Sequence, residues 1–215
     1  MTTPLHRGEL VETFVDQRVG ALQARYLRDR PDAVAALARL RQGVGRRVDA
    51  DMELLGLALA EPTVDLLAGR HVVSDAPVPE EEAAFAAITL YALHQQSRRD
   101  VALHRRGYSL GRSARLLAQA VGQDAVRRRF TALGTSATWE ESIHHSRGLI
   151  QQLRQQRLPL DYGRFARDLY DLNIGRGDRV RMTWGRDFYR LHDPDDAPSA
   201  TPDATTADAE PDKEI

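Results

Sequence analysis

The stretch that decides the fold is residues 109–134, SLGRSARLLAQAVGQDAVRRRFTALG. Ser109 is a residue type that caps helix N-termini, and the segment after it carries apolar residues on one helical face: Leu110, Leu117 and Val121. Asp124 can cap a second helix, whose apolar residues recur at i, i+4 and i+7: Val126, Phe130 and Leu133. The stretch therefore predicts two consecutive amphipathic helices.

The residues before this stretch carry the same signals. A first helix reaching about Leu27 is predicted by apolar residues at helical spacing: Leu10, Val11, Phe14, Val15 and Leu22. Pro31 and Asp32 then open a second helix, Ala33–Arg41, which the Gly43/Gly45 pair ends. Asp51–Ala60 is predicted as a short third helix, and Glu81–Arg99 as a helix with an acidic first turn.

The residues after this stretch contain three more helix starts. Thr138-x-x-Glu141 forms a capping box, and Asp161 and Asp178 are predicted to cap the two helices that follow. In the helix that starts after Thr138, Arg147, Gln151 and Arg154 share a face that is not the core face. No segment alternates with period two, so the predicted fold class is all-α.

The predicted organisation has two small helical bundles. Residues 1–68 form an N-terminal helical domain, residues 69–80 a loop-rich linker, and residues 81–190 a C-terminal helical domain with a basic face. Residues 191–215 are rich in Asp, Ala, Thr and Pro, which is typical of a disordered acidic tail.

Composition excludes several classes of protein. The chain has no cysteine, which rules out disulfides, iron–sulfur clusters and thiolate zinc sites. No apolar run approaches the roughly 20 residues of a membrane span, and the N-terminus has no signal-peptide core. We expect a cytoplasmic protein without membrane contact.

The net charge of -1 hides a segregation of charge along the chain. Residues 191–215 contain eight acidic residues and one basic residue, whereas residues 83–190 contain 19 arginines and nine acidic residues. One-sided charge on a folded surface is unfavourable without a counter-charge, so the arginines indicate an anionic partner such as a phosphate backbone.

Aromatic residues make up only 6% of the chain, which favours contact with the backbone over reading of bases. Gly107, Tyr108 and Ser109, at a helix start, can add phosphate or sugar contacts. The candidate nucleic-acid-binding residues are Arg41, Arg99, Arg105, Arg106, Arg112, Arg115, Arg127, Arg128, Arg147, Arg154 and Arg179.

Two alternative functions stay open at this point. Gly107-Tyr108-Ser109-Leu110-Gly111 matches the G-x-S-x-G nucleophile elbow of hydrolases, but no strand precedes it. The arginines can instead serve a helical scaffold through intramolecular and protein–protein pairs. Glu141-x-x-His144 has no second copy with which to build a di-iron site, so no catalytic residue, metal or cofactor is predicted.

Several short segments, in order over residues 10–190, resemble the small subunit of the type I-E CRISPR effector complex Cascade, the CasB family. They are ARLRQGVG at 38–45, YALHQQSR at 91–98, HRRGYSLGR at 104–112, LDY at 160–162 with DLY at 168–170, and DRVR at 178–181 with WGRDFY at 184–189.

The resemblance implies a two-part helical protein without catalytic activity or a small-molecule substrate. Its implied partners are other Cascade subunits, guide RNA and target DNA, with two copies per ribonucleoprotein. It also implies that the basic surface holds the target and displaced DNA strands of the R-loop in antiviral defence, while base pairing supplies the specificity.

Overall fold

The computed structural model describes residues 6–60, 65–67 and 76–190. Within these ranges the regular structure is helical, apart from one isolated parallel bridge between His104 and Leu160. The all-α prediction is confirmed. The helices are α1 Arg7–Tyr26, α2 Pro31–Leu40, α3 Met52–Leu59, α4 Pro79–Gln95, α5 Leu110–Val121, α6 Gln123–Gly134, α7 Trp139–Gln155, α8 Tyr162–Asn173 and α9 Gly177–Tyr189, with short 3-10 turns at Arg41–Gly43 and Val48–Ala50.

Helix α4 lies at the centre of the fold. It is buried over most of its circumference, as expected of a helix with apolar residues on every side, and it packs against α1, α3, α7 and α8. Tyr91 and Tyr162 meet edge to face at 5.3 Å between ring centroids, and the Tyr162 hydroxyl lies 3.1 Å from Nδ1 of His94. Burial lowers the pKa of His94 to about 3, so this histidine is neutral in the core.

The predicted helix caps are confirmed at three positions. Ser109, Thr138 and Asp161 accept hydrogen bonds from main-chain amides three residues later, at 3.1–3.2 Å. The predictions for Asp124 and Asp178 are wrong by two residues, because the helix N-caps are Gly122 and Arg176. Each aspartate lies instead in the first helical turn, where its negative charge interacts favourably with the positive end of the helix dipole.

Helices α5, α6 and α9 pack around aromatic residues at the C-terminal end of the fold. Phe130 stacks on Phe188 at 4.7 Å between ring centroids and lies beside the buried Trp184. Val121, predicted to be a core residue, is 42% exposed because it ends α5 beyond this contact.

The N-terminal helices share their core with the rest of the chain. α1 packs mainly on α8 and α4, and buried apolar residues from residue 11 to residue 188 form one cluster. This packing does not confirm the predicted two-bundle layout. Most of the predicted linker, residues 69–75 of 69–80, lies outside the described residues, while Pro79 already begins α4. The predicted acidic tail, 191–215, also lies outside them.

Candidate nucleic-acid interface

Arginines from three separate segments meet beside helix α7. Arg147 is exposed and Arg154 half-buried at the edge of the α7 core face, one and three helical turns after Ile143, and Nε of Arg154 donates to the carbonyl of Gln96 at 3.0 Å. Arg41, at the end of α2, and Arg98, after α4, lie close enough to Arg154 for their charges to act on it. Arg46 lines the same cleft as Arg147. We call these five residues the α7 arginine surface.

The α7 arginine surface concentrates positive charge. None of its five arginines forms an ion pair with a carboxylate among the residues of the described ranges. Burial first, and then the charges of Arg98 and Arg41, lower the pKa of Arg154. Nε of Arg98 is buried and has no hydrogen-bond partner within the described part of the chain. This arrangement is unfavourable in the free protein, and an anion would relieve it.

A second basic site surrounds Tyr108. The guanidinium of Arg105 lies 5.0 Å from the centroid of the Tyr108 ring, and that of Arg112 lies 4.3 Å from it. Arg112 also donates to the carbonyl of Gly107 at 3.4 Å. Cation–π contacts thus hold two predicted site residues, one from the loop before α5 and one from α5 itself, on one aromatic ring.

The loop that carries Tyr108, residues 104–109, is anchored to α1 and to the start of α8 by hydrogen bonds. Arg106 pairs with Asp16 of α1 through Nε at 2.9 Å and through a second nitrogen. The Gly107 amide donates to Asp161 at 2.9 Å, and the Tyr162 amide donates to Nδ1 of His104 at 3.1 Å. The proton of His104 is therefore on Nε2, which donates to Asp16 at 3.2 Å.

In the described part of the chain, Asp16, His104 and Asp161 are the group whose geometry suits a metal ion. Its ligand atoms are already occupied by the contacts above. The hydrogen bond from Arg106 lowers the pKa of Asp16, so the carboxylate is ionised and neutralised by an arginine. The network positions the 104–109 loop and does not indicate a metal site.

The structure contradicts the predicted position of one candidate residue, Arg115. Arg115 was expected on a solvent-facing side of α5, but it is only 8% exposed. It donates to the carbonyls of Asp187 and Arg190, at 3.2 and 3.0 Å. Arg115 therefore satisfies the C-terminal carbonyls of α9, because α9 packs on the face that periodicity alone assigned to solvent.

The remaining candidates lie apart from the α7 arginine surface or are already paired. Arg99 forms an ion pair with Asp29 and lies 5.8 Å from the ring centroid of Tyr26. Arg127 pairs with Asp124 at 3.2 Å, whereas Arg128 beside it is exposed. Arg179 is exposed and lines a cleft between α8 and α9, with Arg164, Arg167, Asp168 and Asp171 among its other lining residues.

Residues 36–189 match the model of the family described as CRISPR-associated protein Cse2. The chain belongs to the Cse2 family. It is 40% identical to CasB from Thermobifida fusca, whose crystal structure it matches with a TM-score of 0.69 over 83% of this chain and 97% of that one. A chain of a solved CRISPR RNA-guided surveillance complex, 24% identical, shares the fold with a TM-score of 0.58 over 82% and 94% of the two chains. No curated protein matches.

Ser109 has a structural role in this Cse2-family chain. Its side chain caps α5 and donates to Asp187 at 2.5 Å, and it is 2% exposed. A hydrolytic serine needs a general base, most often an imidazole, and an open approach for the substrate. The two glycines of the Gly107-Tyr108-Ser109-Leu110-Gly111 motif also have structural reasons. Gly107 has a φ of +83°, and Gly111 lies against the main chain of α9.

Sequence reasoning missed two members of the α7 arginine surface, Arg46 and Arg98. Arg46 follows the Gly43/Gly45 pair, and Arg98 follows α4, which ends at Gln95 and not at the predicted Arg99. Neither therefore lies on a helical face in the structure. The available signal is that each lies inside or next to a segment that resembles the family.

No helix in the described ranges is long and apolar enough to span a membrane.

Proposed function

We propose that this chain is a non-catalytic small subunit of a type I-E CRISPR Cascade ribonucleoprotein. In this proposal it assembles with other Cascade subunits and guide RNA, in two copies, and contacts the phosphate backbone of the target and displaced DNA strands. Membership of the Cse2 family supports the assembly, and so does the similarity to CasB from Thermobifida fusca.

The α7 arginine surface carries the nucleic-acid part of the proposal. The guanidinium groups of Arg41 and Arg98 are close enough to act on that of Arg154, and none of the three forms an ion pair with a described carboxylate. A phosphodiester supplies the missing charge, and its oxygens accept from guanidinium N–H groups with good geometry. Arginine contacts of this kind bind the backbone irrespective of sequence.

Modest backbone affinity is sufficient for the proposed role. An RNA–DNA heteroduplex is about as stable as the DNA duplex that it replaces, so the exchange is nearly balanced. A few phosphate contacts to the separated strands can then decide whether the R-loop persists. The protein contributes charge and shape, and the guide RNA contributes the sequence specificity.

The intramolecular partners of the other arginines favour a second candidate, a helical scaffold without nucleic-acid contacts. Arg99, Arg106 and Arg127 pair with carboxylates, and Arg115 pairs with main-chain carbonyls. Those residues need no external anion. The scaffold alternative explains the five arginines of the α7 arginine surface only if they pair with carboxylates of a partner protein.

A charge-reversal pair separates these two functions. Arg46→Glu/Arg147→Glu changes two exposed members of the α7 arginine surface, and Arg28→Glu/Arg186→Glu makes the same charge change at exposed residues outside the candidate set. We expect the first pair to weaken binding of single- and double-stranded DNA at least tenfold. Losing about two phosphate contacts should also flatten the slope of log K against log salt, by about 0.9 per contact on duplex DNA.

Melting curves of both variants must match the parent chain for this comparison to hold. Equal losses of affinity in the two variants would show a dependence on net charge alone and would contradict a localised surface. Salt-independent binding, or no binding, by the parent chain would favour the scaffold.

A further inference from the structure

A cleft of about 440 Å³ opens between α4, α7 and the segment 43–48. Its size falls within the range of about 300–1,000 Å³ that is typical of small-molecule pockets. Apolar side chains form much of its lining: Val44, Phe85, Ala86, Trp139 and Ile143. The proposed contact with the phosphate backbone makes no use of these apolar walls.

One wall of the cleft is closely packed against α4. Gly43 approaches α4 so closely that a Cβ atom there would lie 2.9 Å from Cγ2 of Thr89 and 3.0 Å from Cζ of Phe85. On the opposite wall Trp139, the first residue of α7, packs partly against the core and is only half-buried. A half-buried indole side chain therefore lines an apolar cleft.

The charged residues around the cleft are unevenly distributed. Arg46 and Arg147 line it without a described carboxylate partner, whereas Arg47 is paired with Asp49 at 2.8 Å. Two carboxylates also line the cleft, Glu82 and Glu140, and Glu82 accepts from Asn173 at 2.6 Å. Glu140 precedes Arg147 by seven residues, about 10 Å along the helix, so a phosphate is favoured at Arg147 and disfavoured beside Glu140.

We infer that this cleft receives one nucleobase of a single-stranded nucleic acid, stacked on Trp139, while the adjoining phosphate lies against Arg46 and Arg147. The inference rests on the proposed function and specifies that the bound nucleic acid is single-stranded. A base that is already paired and stacked in a duplex is not available to the cleft, whereas an unpaired base presents its face to an aromatic side chain.

The experiment uses the full-length chain and two 12-mers of equal charge. One is oligothymidylate, and the other is an abasic phosphodiester that has the same backbone and no bases. We expect oligothymidylate to bind about fivefold tighter, which corresponds to about 1 kcal/mol, and to quench tryptophan fluorescence where the abasic 12-mer does not. The chain has two tryptophans, and Trp184 is 1% exposed, so the quenching reports Trp139.

Trp139→Leu should abolish both the quenching and the preference for bases while retaining the affinity for the abasic 12-mer. A DNA duplex of the same length should bind without quenching. Equal affinities for the two 12-mers, with no quenching, would overturn the base site but leave backbone binding intact. Failure of both 12-mers to bind would overturn the proposed function itself.

Discussion

At the scale of single residues, the surroundings of an arginine decide its role. Arg115 and Arg147 look alike in the sequence, each on a helix with few acids nearby. One is enclosed by α9, and the other faces a cleft. Helical periodicity locates the face of a helix on which a side chain lies, but it does not reveal which faces a later helix will cover.

Arg115→Met should destabilise the fold. The change removes the buried guanidinium that donates to the carbonyls of Asp187 and Arg190, and a hydrogen bond to a charged group contributes about 1.5–3 kcal/mol. Arg128→Met, at an exposed residue, is the matched control and should change stability by less than about 0.5 kcal/mol. Urea denaturation of both variants measures the difference, and equal stabilities would show that Arg115 is not structural.

Asp168 should make stability depend on pH. Burial raises its pKa to about 7, although Trp184 Nε1 donates to its carboxyl at 2.6 Å. In the unfolded chain an aspartate has a pKa of about 3.9. Between these pKa values the folded chain holds a proton that the unfolded chain has released. The contribution of Asp168 to stability therefore falls as the pH rises from about 4 to about 7. Above about pH 7 it does not change further.

Asp168→Asn keeps an acceptor for Trp184 and removes the titration. Relative to the parent, the free energy of unfolding of this variant should increase by an amount on the order of a few kcal/mol between about pH 4 and pH 7. Above about pH 7 the difference should stay constant. Denaturant titrations at several pH values measure it. Parallel stability curves for the two proteins would disprove the role of Asp168.

At the scale of elements, close helix contacts depend on particular glycines. A Cβ atom at Gly111 would lie 2.3 Å from the carbonyl oxygen of Trp184 and 2.8 Å from Cβ of Asp187. Helices α5 and α9 can approach this closely only because residue 111 has no side chain. Gly111 belongs to the motif that suggested a nucleophile elbow, and packing explains its identity.

Gly111→Ala should destabilise the chain by about 1–3 kcal/mol, since main-chain atoms of α9 must move to make room. Gly148→Ala is the control, because Gly148 lies within α7 and a Cβ atom added there would meet no other part of the chain within 4 Å. It should stabilise the chain by about 0.5–1 kcal/mol, the helix preference of alanine over glycine. Thermal melts of the two variants should therefore shift in opposite directions, and a shift of both in the same direction would refute this packing argument.

Sequence reasoning succeeded where the signal was local. The caps at Ser109, Thr138 and Asp161 were predictable because each cap and its amide partner are three residues apart. It failed where the deciding contact was distant in sequence, as between Arg115 and Arg190. The candidate site was found in part for the same reason: Arg41, Arg147 and Arg154 were predicted. Arg46 and Arg98, which were missed, join them only through tertiary packing.

At the scale of the whole molecule, the shared core has a thermodynamic consequence. Because α1 packs on α8 and α4, the N-terminal helices and the rest of the chain should lose their structure together. We expect a single unfolding transition in which calorimetric and van't Hoff enthalpies agree. Two resolved transitions would instead support the two-bundle organisation predicted from the sequence.

If a partner contacts the loop at residues 104–109, the anchoring of that loop affects how quickly and how tightly the partner is bound. Ordering a free loop removes backbone entropy worth about 1–2 kcal/mol per residue. Here Asp16 and Asp161 already fix the loop through Arg106 and Gly107, so that loss accompanies folding and not binding. A ligand that meets Arg105 and Arg112 encounters them in place, and each collision in the right orientation can become a bound state without waiting for the chain to rearrange.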